Sequence, residues 1–347
     1  MQLHINSYGA YVHIKDQMFE ILVKQEDKSR KKHHFSAKKV KTIVLAQGTA
    51  ISSAAVKLAV TNNIDILFIE RDGRPIGRVW HSKLGSTTLI RKEQLKASIG
   101  KKGLEAIKEW ITTKIDNEIN FLKKLKKHRN QHADYLNDKI ERMQAINISV
   151  SQLDAENTNE VADTIRGLEG TSGRLFFETL SYVLPKQYQF KGRSFRPAKD
   201  AFNVFLNYAF GILYSKIEKA LIIAGLDPYV GYLHRDDYNL LSFVFDFIEP
   251  YRIYAVEVVF KLFSAKRVNK SHIDEITNGV SLNKAGKEIL INAFNNFFDT
   301  DIIRYKGRNQ TRSNTIQADA HRYANSLIKN NKDAGQIVAD IDKMFEL

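Results

Sequence analysis

Short apolar runs separated by polar breaks dominate residues 1–80. AYVHIK, MFEILVK, KTIVLAQ, DILFIER and IGRVW are rich in Val, Ile, Leu and aromatics, with the length and composition of β-strands. KQEDKSRKK precedes the third run and reads as a polar turn, while RDGRP precedes the last and carries an Asp-Gly pair suited to a hairpin. One helix interrupts the strands: Ser52 or Ser53 is placed to cap AAVKLAVTN. The pattern changes after about Leu84. Ile107, Trp110, Ile111, Ile115, Ile119 and Leu122 recur at helical spacing for over four turns, and Lys123, Lys124, Lys126 and Lys127 cluster at the end. Helical periodicity then continues almost throughout, with few strand signals. Ser, Gly and Thr in HSKLGSTTLIRKEQ mark a linker. The pattern therefore predicts an α+β protein: a small β-rich domain over 1–83, a linker over 84–94 and a larger helical domain over 95–347.

The length of 347 residues suits two domains and a large core. A formal charge of +14 on a chain that is 43% apolar points to a folded protein with a polyanionic partner. A lysine-rich coding bias with an inert basic surface is the less favoured alternative. The absence of cysteine excludes disulfides and thiolate metal sites and fits a reducing compartment. MQLHINSYGAYVHIK lacks a basic flank followed by an apolar run, so no secretory signal is expected. The longest apolar stretches, 202–214 and 240–263, are broken by Asn203, Asn207, Asp246, Glu249 and Arg252, so neither reads as a membrane span. A cytoplasmic protein without membrane association is expected.

Three clusters in the helical part carry candidate chemistry. RGLEGTSGRLFF places Gly167, Gly170 and Gly173 at every third position around Glu169. Each glycine costs a helix about 1 kcal/mol relative to alanine, a cost that makes sense if another backbone approaches the bare face. An exposed Glu169 on a tightly packed helix is the alternative. In AGLDPYVGYLHRDDYN, Gly225 and Asp227-Pro228 read as a helix stop and turn, followed by His234. An isolated histidine is usually structural or exposed; it becomes a candidate ligand only where carboxylates converge on it. SFVFDFIEPYR sets Asp246 and Glu249 at i and i+3 among phenylalanines. Buried unpaired carboxylates are costly, so these acids need partners. Pro250 removes a backbone donor and disfavours a helical Glu249, so a kink is expected there. Arg252 is positioned to pair with Glu249. The segments FKGRSFRPAK and RYKGRNQTR combine basic side chains with aromatics and suit phosphate contacts.

In order along the chain, IRGLEG, GRSFRPAKDAFNVFLNYAFGILY, AGLDPYVGYLH, SFVFDFIEPYR and LNKAG resemble the helical-domain motifs of one family, the CRISPR-associated spacer-acquisition integrase, Cas protein one. The resemblance implies a metal-dependent DNA integrase and endonuclease that joins the 3′-hydroxyl ends of captured DNA to a CRISPR repeat by transesterification. By motif it implies Glu169, His234 and Glu249 as ligands of one divalent cation, with Asp246 as a further catalytic acid beside them. Many members carry Asp where Glu249 stands. A hard oxygen and nitrogen ligand set suits Mg²⁺ or Mn²⁺. The expected DNA-contacting residues are Arg166, Arg193, Arg196, Lys199, Arg252, Arg304, Lys306 and Arg308. Double-stranded DNA, a companion Cas protein two and a homodimer formed through the β domain complete the implied assembly. Two other functions compete: a transposon-borne integrase relative, and a non-catalytic DNA-binding scaffold.

Overall fold

The computed structural model describes residues 2–25, 29–62, 64–70, 73, 75–79, 87–234 and 240–329. The chain divides into two compact units, Met1–Leu84 and Gly85–Leu347.

The first unit contains two four-stranded sheets, ordered β1-β5-β7-β8 and β4-β3-β2-β6. Its strands are β1 (Gln2–Ile5), β2 (Tyr11–Lys15), β3 (Met18–Lys24), β4 (Arg30–Ser36), β5 (Thr42–Ala46), β6 (Ala50–Ile51), β7 (Asp65–Ile69) and β8 (Pro75–Val79). The expected helix is α1 (Ser53–Thr61), and the Ser52 side chain accepts from Ala55 N at 3.1 Å. Leu3, Val12, Phe19, Ile21, Ile43, Leu45, Ala55 and Ile66 share one core. The strand β4 corrects the sequence reading, because RKK of the supposed turn begins a strand that pairs antiparallel with β3. Its residues are mostly exposed, so burial leaves no alternating pattern to read. The middle of the RDGRP turn lies largely outside the described residues.

The second unit contains α2 (Thr87–Ser98), α3 (Lys101–Lys127), α4 (Ala133–Gln152), α5 (Ala162–Val183), α6 (Ala201–Ile223), α7 (Ser242–Phe247), α8 (Arg252–Ser264), α9 (Lys284–Asn295) and α10 (Arg312–Ile328). Helix α2 occupies most of the segment read as linker. Two antiparallel hairpins interrupt the helices, β9 (Ile273–Ile276) with β10 (Gly279–Leu282) and β11 (Ile302–Tyr305) with β12 (Arg308–Thr311). At four residues each, these strands are too short for the period-2 signal to emerge from sequence.

The periodic stripe on α3 is buried as the spacing requires, from Leu104 and Ile107 through Trp110, Ile115, Ile119 and Leu122. Trp110 organises the surrounding aromatics. It stacks on Tyr232 and meets Phe243, Phe247 and Tyr323 edge-on. Those contacts fix the loop after α6 against α7. The expected break at Pro250 is present: α7 ends at Phe247, a 3₁₀ turn covers Glu249–Tyr251, and α8 begins at Arg252. Asn117 of α3 donates to Pro250 O at 2.9 Å, and Tyr251 donates to Asp319 of α10 at 2.9 Å, pinning this turn from two sides. Among the described residues, no helix is long and apolar enough to cross a membrane.

Candidate active site

The turn at Pro250 aims Glu249 into the unit, where only 3% of its side chain is exposed. Its Oε1 accepts from Arg252 Nε at 2.7 Å and its Oε2 lies 2.7 Å from Lys114 Nζ of α3. Arg252 also donates to the Tyr214 hydroxyl at 3.2 Å and packs over the Phe210 ring. Burial alone pushes the Glu249 carboxyl up, but Arg252 and Lys114 outweigh it and hold the pKa down at about 2. Glu249 is therefore an anion fixed between two cations.

Lys114 bridges to a second acid. Its Nζ also contacts Glu169 Oε1, so carboxylates from α5 and from the α7–α8 turn meet at one ammonium. Glu169 differs from Glu249 in access, with 31% of its side chain exposed. Burial disfavours the charged ammonium of Lys114, but Glu249 and Glu169 outweigh that cost and keep it protonated. Glu118, one helical turn beyond Lys114, is a further acid and is itself buried. Its Oε2 makes no hydrogen bond, and burial pushes its carboxyl up to about 8 despite Lys114 nearby. It is therefore protonated near neutral pH.

The glycines around Glu169 have open surroundings. A Cβ built at Gly167, Gly170 or Gly173 would meet nothing within 4 Å. The bare stripe of α5 is not used for packing within the described unit, which removes the close-packed explanation for it.

His234 belongs to a separate pair. Asp246 is fully buried on α7 and accepts from the backbone N–H groups of Tyr232 at 2.5 Å, Leu233 at 3.2 Å and His234 at 3.2 Å. Its Oδ1 lies 2.6 Å from His234 Nδ1, so Nδ1–H donates and Nε2 is the imidazole nitrogen outside the pair. The loop is tied to α5 as well: Arg166 donates to Leu233 O at 2.9 Å while pairing with Asp163 at 2.6 Å. Asp246 therefore orients His234. Among the described residues, no group of three His, Asp or Glu side chains stands close enough together to hold a metal. The structure joins Glu169 to Glu249 through Lys114 and His234 to Asp246, without closing the trio expected from sequence.

The donor types nevertheless suit a divalent cation. Two carboxylates already converge on one positive charge. The remaining candidate is a histidine whose other nitrogen is fixed by a carboxylate, a common arrangement for metal-binding imidazoles.

The expected DNA contacts fall into two groups. Arg193 donates to Asn203 and, at 2.7 Å, to Asn207, with its guanidinium over Phe177 and Phe210. Arg252 pairs with Glu249, and Arg166 with Asp163 and Leu233, so these three arginines also carry contacts within the unit, while Arg193 remains exposed. Arg196, Lys199, Arg304, Lys306 and Arg308 are exposed. Arg196 lies over the exposed ring of Phe195, and Lys199 donates to Asn278 O at 2.8 Å. Arg304, Lys306 and Arg308 sit on the β11–β12 hairpin, with Lys306 Nζ 3.6 Å from Asp319.

Sequence reasoning missed Lys114 and Glu118. Both lie on the buried stripe, since Lys114 follows Trp110 by one turn and Glu118 follows Lys114 by one turn. Charged residues at apolar-stripe positions were the available signal.

Residues 3–296 match the family described as CRISPR associated protein Cas1. The chain belongs to the Cas1 family. It is 30% identical over 327 residues to a CRISPR-associated endonuclease Cas1 of Archaeoglobus fulgidus, covering 91% of this chain and 93% of the relative. Among solved structures, a casposase bound to integration product aligns with a TM-score of 0.79 at 21% identity, covering 95% of this chain and 91% of that one. A Cas6-RT-Cas1–Cas2 complex aligns with a TM-score of 0.75 at 19% identity, covering 95% of this chain and 35% of that one. These structural likenesses establish a shared fold, a β-rich unit followed by a mostly helical one. The residue pairing described above gives this Cas1 chain its own candidate chemistry.

Proposed function

We propose that this Cas1 protein is a divalent-metal-dependent DNA integrase and endonuclease of CRISPR adaptation. The observation that carries the proposal is the convergence of Glu169 and Glu249, from separate helices, on one cationic focus in a Cas1 chain. Glu169, Glu249 and His234 would hold Mg²⁺ or Mn²⁺, and Asp246 would fix the His234 ring so that Nε2 is presented. A bound divalent cation supplies charge stabilisation at a phosphoryl oxygen. In the reaction, the 3′-oxygen of a captured fragment forms a bond to phosphorus at the repeat boundary. The bond from phosphorus to the 3′-oxygen of the neighbouring repeat nucleotide breaks, and that oxygen leaves with a proton as a new hydroxyl. Water in place of the fragment end gives hydrolysis, the endonuclease outcome.

The chain's own residues prepare this chemistry. Arg252 keeps Glu249 ionised and aimed, and Arg166 ties Glu169's helix to the His234 loop. The open glycine face of α5 leaves room for a nucleic-acid backbone beside Glu169. Arg196, Lys199, Arg304, Lys306 and Arg308 would grip phosphates. Double-stranded DNA, a second copy of this chain and a Cas2 companion are the proposed partners, in a cytoplasmic setting.

Oligonucleotide strand transfer tests the proposal. Fragments with free 3′ ends should join a repeat-containing duplex with Mn²⁺ or Mg²⁺ but not with EDTA, and Glu169→Gln should abolish joining. Tight DNA binding without joining under every metal condition would support the non-catalytic scaffold. The casposase likeness favours a transposon-borne integrase as the second reading. Preference for transposon-end duplexes over repeat duplexes would favour it.

A further inference from the structure

The proposed metal residues already have a cation between them, and it belongs to the protein. Lys114 lies on the buried stripe of α3 with only 8% of its side chain exposed, and its ammonium touches both Glu169 and Glu249. An ammonium cannot share one small focus with a divalent ion. With Lys114 and Arg252 facing Glu169 and Glu249, the cluster is already balanced, because burial keeps Glu118 protonated. A divalent ion added without rearrangement would leave a buried charge excess, which is strongly unfavourable.

We infer that Lys114 is an internal competitor for the acid pair, which keeps Glu169 and Glu249 together in the metal-free protein and must yield its place when a divalent cation binds. The inference rests on the metal-dependent function proposed above. The lysine side chain suits the task, because its ammonium is a point charge on a flexible stem with four carbons. It also has a place to go. Glu118 lies one turn away on the same helix face, and its Oε2 has no hydrogen-bond partner. Glu118 stands at i+4 from Lys114, the spacing at which helix side chains meet, and pairing with the ammonium there would release the Glu118 proton, which removes one of the excess charges. The competition sets a threshold: low concentrations of divalent ion leave the lysine in place, and the strength of the lysine contacts fixes where binding begins.

The test is direct Mn²⁺ binding, read as the fall in free-Mn²⁺ electron paramagnetic resonance signal, together with thermal melts in EDTA and in Mn²⁺. Lys114→Met removes the charge at similar length. Lys114→Gln is measured in parallel, in case the apolar variant folds poorly. With the competitor gone, Mn²⁺ should bind about ten- to a thousandfold more tightly, the range by which one adjacent charge shifts an ionic equilibrium. The melting temperature in EDTA should fall, and the gain on adding Mn²⁺ should exceed that of the unsubstituted protein. Unchanged or weaker Mn²⁺ affinity in a folded variant would overturn the inference. Glu169→Gln separates this failure from failure of the underlying function. Binding that needs Glu169 but ignores Lys114 sinks only the competitor role. Binding that ignores both residues, or no binding at all, sinks the metal site itself and the competitor role with it.

Discussion

Two glutamates are buried to the same degree in the two units, and their partners differ. Glu20, on β3, faces His13 of β2 at 3.0 Å and His34 of β4 at 2.9 Å. Strand register alone brings the three together, because His13 and His34 lie directly across from Glu20 on the neighbouring strands. Glu249 is held by Lys114 and Arg252, and Lys114 carries the contact on to a half-exposed acid, Glu169. The sheet glutamate sits between two imidazoles set by strand register. The helical glutamate is held as an anion between two fixed cations and shares one of them with a second acid. Burial of a carboxylate therefore marks a candidate site only together with the charge of its partners.

The largest test of this contrast is a matched pair of substitutions. Glu249→Gln leaves Lys114 and Arg252 short of a counter-charge, and breaking a buried ion pair costs about 3–5 kcal/mol. Denaturant unfolding should show a loss of that size, and the folded fraction should give no strand transfer. Because the Arg252 pair is present, loss of stability alone does not identify a ligand; joining activity in the folded fraction decides. Glu20→Gln should leave strand transfer by the folded protein intact. Equal loss of activity in both variants would erase the distinction between the clusters.

Asp246→Asn comes next. It preserves shape while weakening the hold on His234 and the Tyr232–His234 backbone, so the variant should keep some joining activity while needing more metal. Loss of an orienting partner typically costs about 10–100-fold in metal affinity. Unaltered Mn²⁺ titration of joining would show that His234 needs no orientation by Asp246.

The third test uses pH. Burial raises the Glu118 carboxyl to about 8, so between the ordinary carboxyl range and that value the native protein holds a proton that the unfolded chain has released. Its contribution to stability is complete at acid pH and is lost as pH rises through about 8. Glu118→Gln should flatten this part of the metal-free stability profile between about pH 5 and pH 8. Parallel profiles for the two proteins would show that Glu118 is ionised throughout.

The smallest expected effect is at the open face of α5. Gly170→Ala should raise stability by about 1 kcal/mol, since alanine favours the helix and nothing blocks its methyl. If nucleic acid approaches that face, the same variant should bind DNA less tightly. Greater stability with unchanged DNA affinity would make the stripe incidental.

Much of this arrangement was legible in the sequence where burial and period agree. The α3 stripe, the α1 cap and the helix break at Pro250 follow from apolar spacing, a serine and a proline. RGLEG, YLH and DFIEPYR directed attention to Glu169, His234, Asp246 and Glu249, and the structure joins them in two pairs. Strand β4 escaped because an edge strand with exposed Arg and Lys looks like a turn. Lys114 and Glu118 escaped because charge suggests solvent, even at positions that the period assigns to the core. The contacts of Arg193 with Asn203 and Asn207 are not legible in sequence, because those partners lie ten and fourteen residues away along the chain.

The central claim is that Glu169, Glu249 and His234 form one metal site whose place Lys114 holds in the metal-free protein. Anomalous diffraction from crystals grown with Mn²⁺ tests it most directly. The account predicts a manganese peak bounded by Glu169, Glu249 and His234 Nε2, with the Lys114 ammonium moved away from both carboxylates. A peak elsewhere, or Lys114 still bridging Glu169 and Glu249 in manganese-saturated crystals, would contradict it.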